Sequence, residues 1–173
     1  MDRLHWPALR CFSSTGEASS PPLYHWLSAL GGYAPVMECC GGTELAGGFA
    51  AGCPLQPQAP SCFSTPAVGT QLVLLGEEAQ GDARREQSAH GPNAPPTMGE
   101  LALRPPLLGA SFRLLGGADH HAVYFAGMPF DLEMPGVQLR RHGDAFERLP
   151  GGFYVAHGRV DDTMNLGGIK VLP

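Results

Sequence analysis

The run Pro35-Val36-Met37-Glu38-Cys39-Cys40 is mostly apolar and ends abruptly in Gly41-Gly42-Thr43-Glu44, with glycine recurring at Gly47 and Gly48. A buried strand that opens into a glycine-rich loop is where α/β folds place their ligands. Glycine lets a ligand approach the main chain, the Thr43 hydroxyl can donate to a phosphate oxygen, and Glu44 offers a hard oxygen ligand suited to Mg2+. The same four residues also suit a capped turn with a solvated glutamate. The choice between the two rests on the rest of the chain.

Upstream, the short apolar segment from Leu4 to Phe12 leads into Ser13-Ser14-Thr15-Gly16-Glu17, as expected of a strand feeding a tight turn. Ser20 suits a helix N-cap, Pro21 and Pro22 the first turn, and Gly31-Gly32 the exit, which predicts a short helix between the two strands. Ser-Ser-Thr-Gly has the look of a phosphate loop, but no lysine follows and G-x-x-x-x-G-K-[ST] is absent.

Downstream the pattern becomes β-rich. Pro54 to Pro66 reads as an irregular connection, Gln71 to Leu75 as a strand, and Glu77 to Thr97 as a surface loop without periodic apolar residues. Gly99 to Pro105 alternates polar and apolar, and Phe112 to Leu115, Val123 to Phe125 and Val137 to Arg140 are further short strand candidates. Asp119-His120-His121 does not make a metal site, because adjacent histidines on a strand point apart and no third ligand is suitably spaced.

Arg141-His142-Gly143-Asp144 and Pro150-Gly151-Gly152 read as turns flanking a hairpin-like unit. A carboxylate such as Asp144 can accept from both hydroxyls of a ribose, since its two oxygens match a cis-diol. The stretch His157 to Lys170 then gathers Arg159, the carboxylates Asp161 and Asp162, and Gly167-Gly168. Anion contact, a charged bend and permissive backbone together suggest a hinge beside a nucleotide.

Composition excludes other classes. The net charge is -5 and Lys170 is the only lysine, so there is no basic patch for a nucleic-acid backbone. No apolar run approaches a membrane span, and the N-terminal MDRLHWPALR lacks the apolar centre of a signal peptide, so a soluble intracellular protein is expected. Five cysteines, odd in number and without C-x-x-C spacing, point to a reducing compartment and to small buried hydrophobes. The 24 glycines and 17 prolines add turns throughout.

Taken in order, the motifs resemble those of the adenylate-forming acyl-activating enzymes, the superfamily of acyl-CoA synthetases, luciferases and peptide-synthetase adenylation domains. Phe12 to Glu17 is similar to the adenine-binding loop, Cys40 to Glu44 to the Tyr-Gly-x-Thr-Glu motif, and Gly99-Glu100-Leu101 to the Gly-Glu-Leu strand. His142-Gly143-Asp144 is similar to Thr-Gly-Asp, and Gly158-Arg159-Val160-Asp161-Asp162 to the hinge motif. The wording resembles most the acetyl-CoA-synthetase-like acyl-activating enzymes of plants and algae, some of which are peroxisomal.

The resemblance implies a fold and a chemistry. The expected fold is α/β, the C-terminal part of the large N-terminal domain: residues 1–60 end an AMP-binding α/β subdomain, 61–155 form a β-barrel-like subdomain and 156–173 the hinge. Gly16 and Glu17 would line the adenine pocket, Thr43 contact the α-phosphate, Glu44 hold Mg2+, Asp144 grip the ribose and Arg159 contact ribose or phosphate. Asp161 would be the pivot, Gly168 would approach the CoA thiol, and Gly41 and Gly42 would border an acyl pocket. ATP, Mg2+, coenzyme A and a carboxylic acid are the implied cofactors and partners, in the cytoplasm or a peroxisome. Gly41 stands where acetate-specific relatives carry a bulky wall, which predicts acids longer than acetate.

The motifs of the preceding phosphate loop and of the C-terminal lysine domain are not among these residues, so the chain is expected to be inactive alone, as a fragment of an acid-thiol ligase whose C-terminal domain would be its partner. A non-catalytic AMP-binding remnant or interaction protein, and an amino-acid-adenylating or luciferase-like parent, are the alternatives.

Overall fold

The computed structural model of the protein describes residues 6–17, 19–76, 86–87, 95–161, 164–166 and 169–171. The fold is mixed α/β. Strands β1 (Phe12–Thr15), β2 (Val36–Gly42), β3 (Gly47–Ala51) and β4 (Thr65–Pro66) form one sheet in chain order. β1 and β2 run parallel, with Phe12 opposite Val36, and the other pairs are antiparallel. Parallel neighbours need a crossover, supplied here by helix α1 (Pro21–Leu30). Its start is the one its sequence dictates: Ser20 Oγ accepts from the Leu23 N–H at 3.4 Å, and the prolines occupy positions whose N–H groups have no helical partner. The helix buries Tyr24 but leaves Leu23 and Trp26 exposed.

A second, antiparallel sheet contains β5 (Leu72–Leu75), β6 (Glu86–Gln87), β7 (Thr97–Leu103), β8 (Arg140–Arg148) and β9 (Tyr154–Arg159), in the order β6-β5-β7-β8-β9. Strands β10 (Met164–Leu166) and β11 (Ile169–Val171) pair with each other. Every residue of β5 is buried because the sheet is covered on both sides. Leu72 and Leu74 join Phe49, Ala50, Phe63 and Phe146 in the core between the sheets, while Val73 and Leu75 join Met128 and Leu139 on the opposite face. The shared core fixes β8 and β9 against the first sheet, and Phe63 bonds Tyr154 across the junction with N···O distances of 2.8 and 2.9 Å.

Four local expectations are revised. Ser13 to Thr15 are part of β1 rather than a turn, which begins at Gly16. Val123 to Phe125 is no strand: Asp119 accepts from the His121 N–H at 2.9 Å and so caps the short helix α2 (His120–Tyr124), which also carries both histidines. Phe112 to Leu115 is irregular, with Phe112 and Leu115 left exposed and Gly116 and Gly117 at positive φ. Arg141 to Asp144 lies within the nine-residue β8, where Gly143 (φ 87) precedes a register shift between Asp144 and Phe146, a bulge where a turn was expected. Most of the 77–97 segment lies outside the described residues.

Candidate functional site

A cavity of about 550 Å³ opens where the first sheet meets β8 and β9. Gly16 and Glu17 reach it from the end of β1, Gly41 to Glu44 from the end of β2, Asp144 from β8 and Arg159 from β9. The carboxyl ends of parallel strands are the ligand side of an α/β sheet, and the volume falls in the range of small-molecule pockets, roughly 300–1,000 Å³. Asp161 is described but does not line the cavity, and Gly168 lies outside the described residues.

Charge in the cavity is arranged around Arg159. Its Nη1 donates to Asp144 Oδ1 at 3.0 Å and to the His142 carbonyl at 2.8 Å. Its Nε and Nη2 fork onto Asp161 at 3.1 and 2.9 Å, the bidentate geometry a guanidinium offers a carboxylate. Gly143 makes room for this, since a Cβ there would stand 2.7 Å from Arg159 Nη2. The hydrogen bonds that Arg159 donates to Asp161 raise its pKa against the effect of burial, and Asp144 adds to the rise. Burial alone would raise the Asp144 pKa, but His142 and then Arg159 hold it below the usual carboxylate range. Asp144 is therefore an ionised acceptor facing the cavity at neutral pH.

Gly41 and Gly42, expected as loop, are the last residues of β2, and this strand end and the turn after it are built on close contacts. A Cβ on Gly41 would meet the Gly47 carbonyl oxygen at 2.4 Å, so its bareness serves the β2–β3 pairing before it serves any ligand. A Cβ on Gly42 would meet the Glu44 carboxylate at 2.6 Å, showing that this side chain folds back over the glycine. The Glu44 carbonyl accepts from the Ser111 N–H at 2.8 Å, which ties the 3-10 turn Thr43–Leu45 to the loop after β7. Among the described residues no three His, Cys, Asp or Glu side chains form a group that could hold a metal ion. Mg2+ commonly binds through one or two carboxylates with water and substrate phosphates, and Glu44, partly exposed on the cavity wall, fits that limited role. The Cys40 thiol, beside Asp144 and Cys39, is pushed up to about 12, chiefly by burial, and stays protonated.

No protein-family model matches the chain. Over 166 residues, 96% of this chain, it is 51% identical to "Probable acyl-activating enzyme 17, peroxisomal" of Arabidopsis thaliana, of which it covers 21%. It is 49% identical to hexanoyl-CoA synthase of Cannabis sativa, with the same two coverages. Among solved structures, a long-chain-fatty-acid-CoA ligase from Archaeoglobus fulgidus shares the fold with a TM-score of 0.66 at 18% identity, over 90% of this chain and 29% of that one. This chain matches the adenylate-forming acyl-CoA synthetase superfamily. An anthranilate CoA ligase solved with anthranoyl-AMP has a TM-score of 0.65 at 22% identity, covering 95% of this chain and 27% of its own. The chain spans about a fifth of the length of the curated relatives it matches.

The superfamily motifs do not exhaust the cavity. Glu38, in the middle of β2, is only 4% exposed; its Oε1 accepts from Ser19 Oγ, and Ser61 Oγ in turn donates to the Ser19 carbonyl. All three residues line the cavity, as do Phe63, His142 and Gly158. A carboxylate inside an otherwise apolar strand was the available signal for Glu38, whereas nothing in the spacing of Ser19 and Ser61 brings them together. The cysteines are free, with Cys62 buried as expected but Cys11 exposed ahead of the edge strand β1. No helix among the described residues is long and apolar enough to cross a membrane.

Proposed function

We propose that the cavity is the AMP-binding site of an acid-thiol ligase of the acyl-CoA synthetase type. In this reaction a carboxylate attacks the α-phosphorus of ATP, giving an acyl-adenylate and pyrophosphate, and the thiolate of coenzyme A then displaces AMP. The observation that carries the reading is the meeting, in one cavity, of Gly16 and Glu17, Thr43 and Glu44, Asp144 and Arg159. These come from two pairs of neighbouring strands, β1 with β2 and β8 with β9, and all of them line the same cavity.

In this reading Gly16 and Glu17 border the adenine, Asp144 accepts from the ribose hydroxyls, and Arg159 contacts ribose or phosphate. Thr43 donates to the α-phosphate, and Gly41 and Gly42 border the acyl group. Mg2+, held by Glu44, offsets charge on the phosphate oxygens when bound. The protein's task is alignment and electrostatic complementarity, and no side chain need be a nucleophile. The high pKa of the Cys40 thiol agrees with that. Asp161 serves as the pivot of a C-terminal domain and Gly168 lies on the CoA side. Residues 1–60, 61–155 and 156–173 make up an α/β portion, a β-rich portion and the hinge. The name hexanoyl-CoA synthase on a 49% identical relative favours acids longer than acetate, and the peroxisomal name of another favours that compartment over the cytoplasm.

Titration calorimetry with AMP, and ATP–pyrophosphate exchange with acetate, hexanoate and octanoate, test the proposal. Expected are AMP binding that Asp144→Asn weakens at least tenfold, as for loss of a hydrogen bond to a charged acceptor, and negligible exchange by the chain alone. Absence of AMP binding at millimolar concentration would refute the nucleotide assignment. Exchange by the chain alone would refute its dependence on a partner domain.

A further inference from the structure

His142 occupies the place of the threonine in Thr-Gly-Asp, and its surroundings are unusual for a packing residue. Its side chain is 7% exposed, its ring lies 4.1 Å from that of Phe49, and neither ring nitrogen makes a well-aligned hydrogen bond among the described residues. An apolar side chain of similar size would fill this space without burying two polar nitrogens, and such orphaned groups are uncommon enough to call for a reason. The contact that supplies one is electrostatic. His142 Nδ1 stands 3.3 Å from Asp144 Oδ2, while Arg159 Nη1 holds Oδ1 from the other side at 3.0 Å.

A carboxylate has about four lone-pair sites, two on each oxygen. With one neighbour on each oxygen, Asp144 is fixed in rotation and keeps one free acceptor site per oxygen, which is what two adjacent hydroxyls require. We infer that His142 is a positioning residue that, together with Arg159, holds the Asp144 carboxylate in the orientation that accepts the two hydroxyls of a ribose. The inference rests on the nucleotide reading of the cavity. His142 acts through Asp144 rather than on the ligand, since both of its ring nitrogens are sealed from solvent.

The test compares the full chain with His142→Leu and His142→Asn by calorimetry, using AMP, 2′-deoxy-AMP and 3′-deoxy-AMP, with urea unfolding alongside. The asparagine amide can stand in for Nδ1; leucine cannot. His142→Leu is expected to bind AMP roughly tenfold more weakly, the loss of a contact to a charged acceptor. It should also discriminate less against one or both deoxynucleotides, with an unfolding midpoint equal to or above that of the unaltered chain because a buried, poorly satisfied imidazole is gone. His142→Asn is expected to recover the discrimination. Leucine that keeps both affinity and discrimination would overturn the inference, as would a loss of stability with leucine combined with no recovery by asparagine. An unaltered chain that binds none of the three nucleotides would instead overturn the nucleotide reading, and the inference with it.

Discussion

Replacing Gly41 by alanine asks whether that glycine exists for the fold or for the ligand. The added Cβ would stand 2.4 Å from the Gly47 carbonyl oxygen and 2.9 Å from both the Gly47 carbonyl carbon and the Gly48 Cα. Favourable carbon contacts begin near 3.5 Å, so one strand must retreat by about 1 Å. The obstacle is main chain, not a side chain that can turn away. Gly48 and Gly47 are the register partners of Gly41 and Gly42, so the retreat opens the end of the β2–β3 ladder that carries Thr43 and Glu44. Forced contacts of this kind cost about 1–3 kcal/mol, against which alanine recovers about 0.4–1 kcal/mol by restricting the unfolded chain. Gly47→Ala is the control, because a Cβ there meets nothing within 4 Å. It should therefore show the recovery alone, leaving the two variants about 2 kcal/mol apart. In urea, with a slope of about 1–3 kcal/mol per molar, that is a difference in midpoint of about 1 M, measurable by far-ultraviolet circular dichroism. Two alanine variants within about 0.5 kcal/mol of each other would refute the steric argument. If it holds, acid length must be read from substrate panels and not from the missing side chain at 41.

Three further outcomes are expected. Burial would raise the Asp131 pKa, but the Arg104 hydrogen bond, the Met134 and Glu133 N–H groups and the Arg104 charge together hold it below the usual range. Its stabilisation is therefore complete above the unfolded value of about 4 and lost as pH falls through the lower folded value. The urea midpoint should accordingly be level from about pH 7 to 5 and fall below about 4. Asp131→Asn, which breaks this buried pair at a cost of about 3–5 kcal/mol, should flatten that acid limb; an unchanged slope would count against the assignment. Arg140 is 2% exposed, lies over the Tyr124 ring at 3.8 Å, and has no well-aligned hydrogen bond from its guanidinium among the described residues. Arg140→Met should lose a cation–π contact of about 2 kcal/mol but remove a larger burial penalty, raising the thermal midpoint; a lowered one would show that Arg140 has a compensating partner. Finally, iodoacetamide should modify exposed Cys11 well before Cys40, whose thiol is pushed up to about 12. Peptide mass spectrometry showing the reverse order would contradict the burial of Cys40.

Legibility in the sequence followed the range of the interactions involved. Ser20, the two prolines and Gly31 define α1 through contacts within a turn or two, so the helix could be read directly. The strands read at 35–40, 71–75 and 99–105 were visible because their apolar residues are contiguous or alternating, and the structure moves their bounds to 36–42, 72–75 and 97–103. Gly143 misled because a glycine at positive φ serves a bulge as well as a turn, and only pairing with β7 and β9 distinguishes them. The histidine pair was placed on the wrong element because the Asp119 cap outweighs the β preference of Val123, Tyr124 and Phe125. In the cavity, Thr43, Glu44, Asp144 and Arg159 stood out because the motifs give each of them a role. His142 lies in a motif but as a departure from it, and Glu38 showed only as a carboxylate in an apolar strand; their burial and, for Glu38, the approach of Ser19 come from the fold.

Arg159 joins two carboxylates that lie on either side of it in function, Asp144 within the cavity and Asp161 outside it. One guanidinium cannot take on a third anionic partner at full strength without loosening one of these two. On the proposed nucleotide reading of the cavity, nucleotide occupancy and the Arg159–Asp161 pairing would be terms in a single equilibrium, with a coupling that is reciprocal by thermodynamic necessity. A constraint that frees Arg159 from Asp161 would then alter nucleotide affinity by the same factor by which the nucleotide favours that constraint. Affinity measured on the chain alone is therefore the uncoupled limit, against which the contribution of anything attached at that end can be measured.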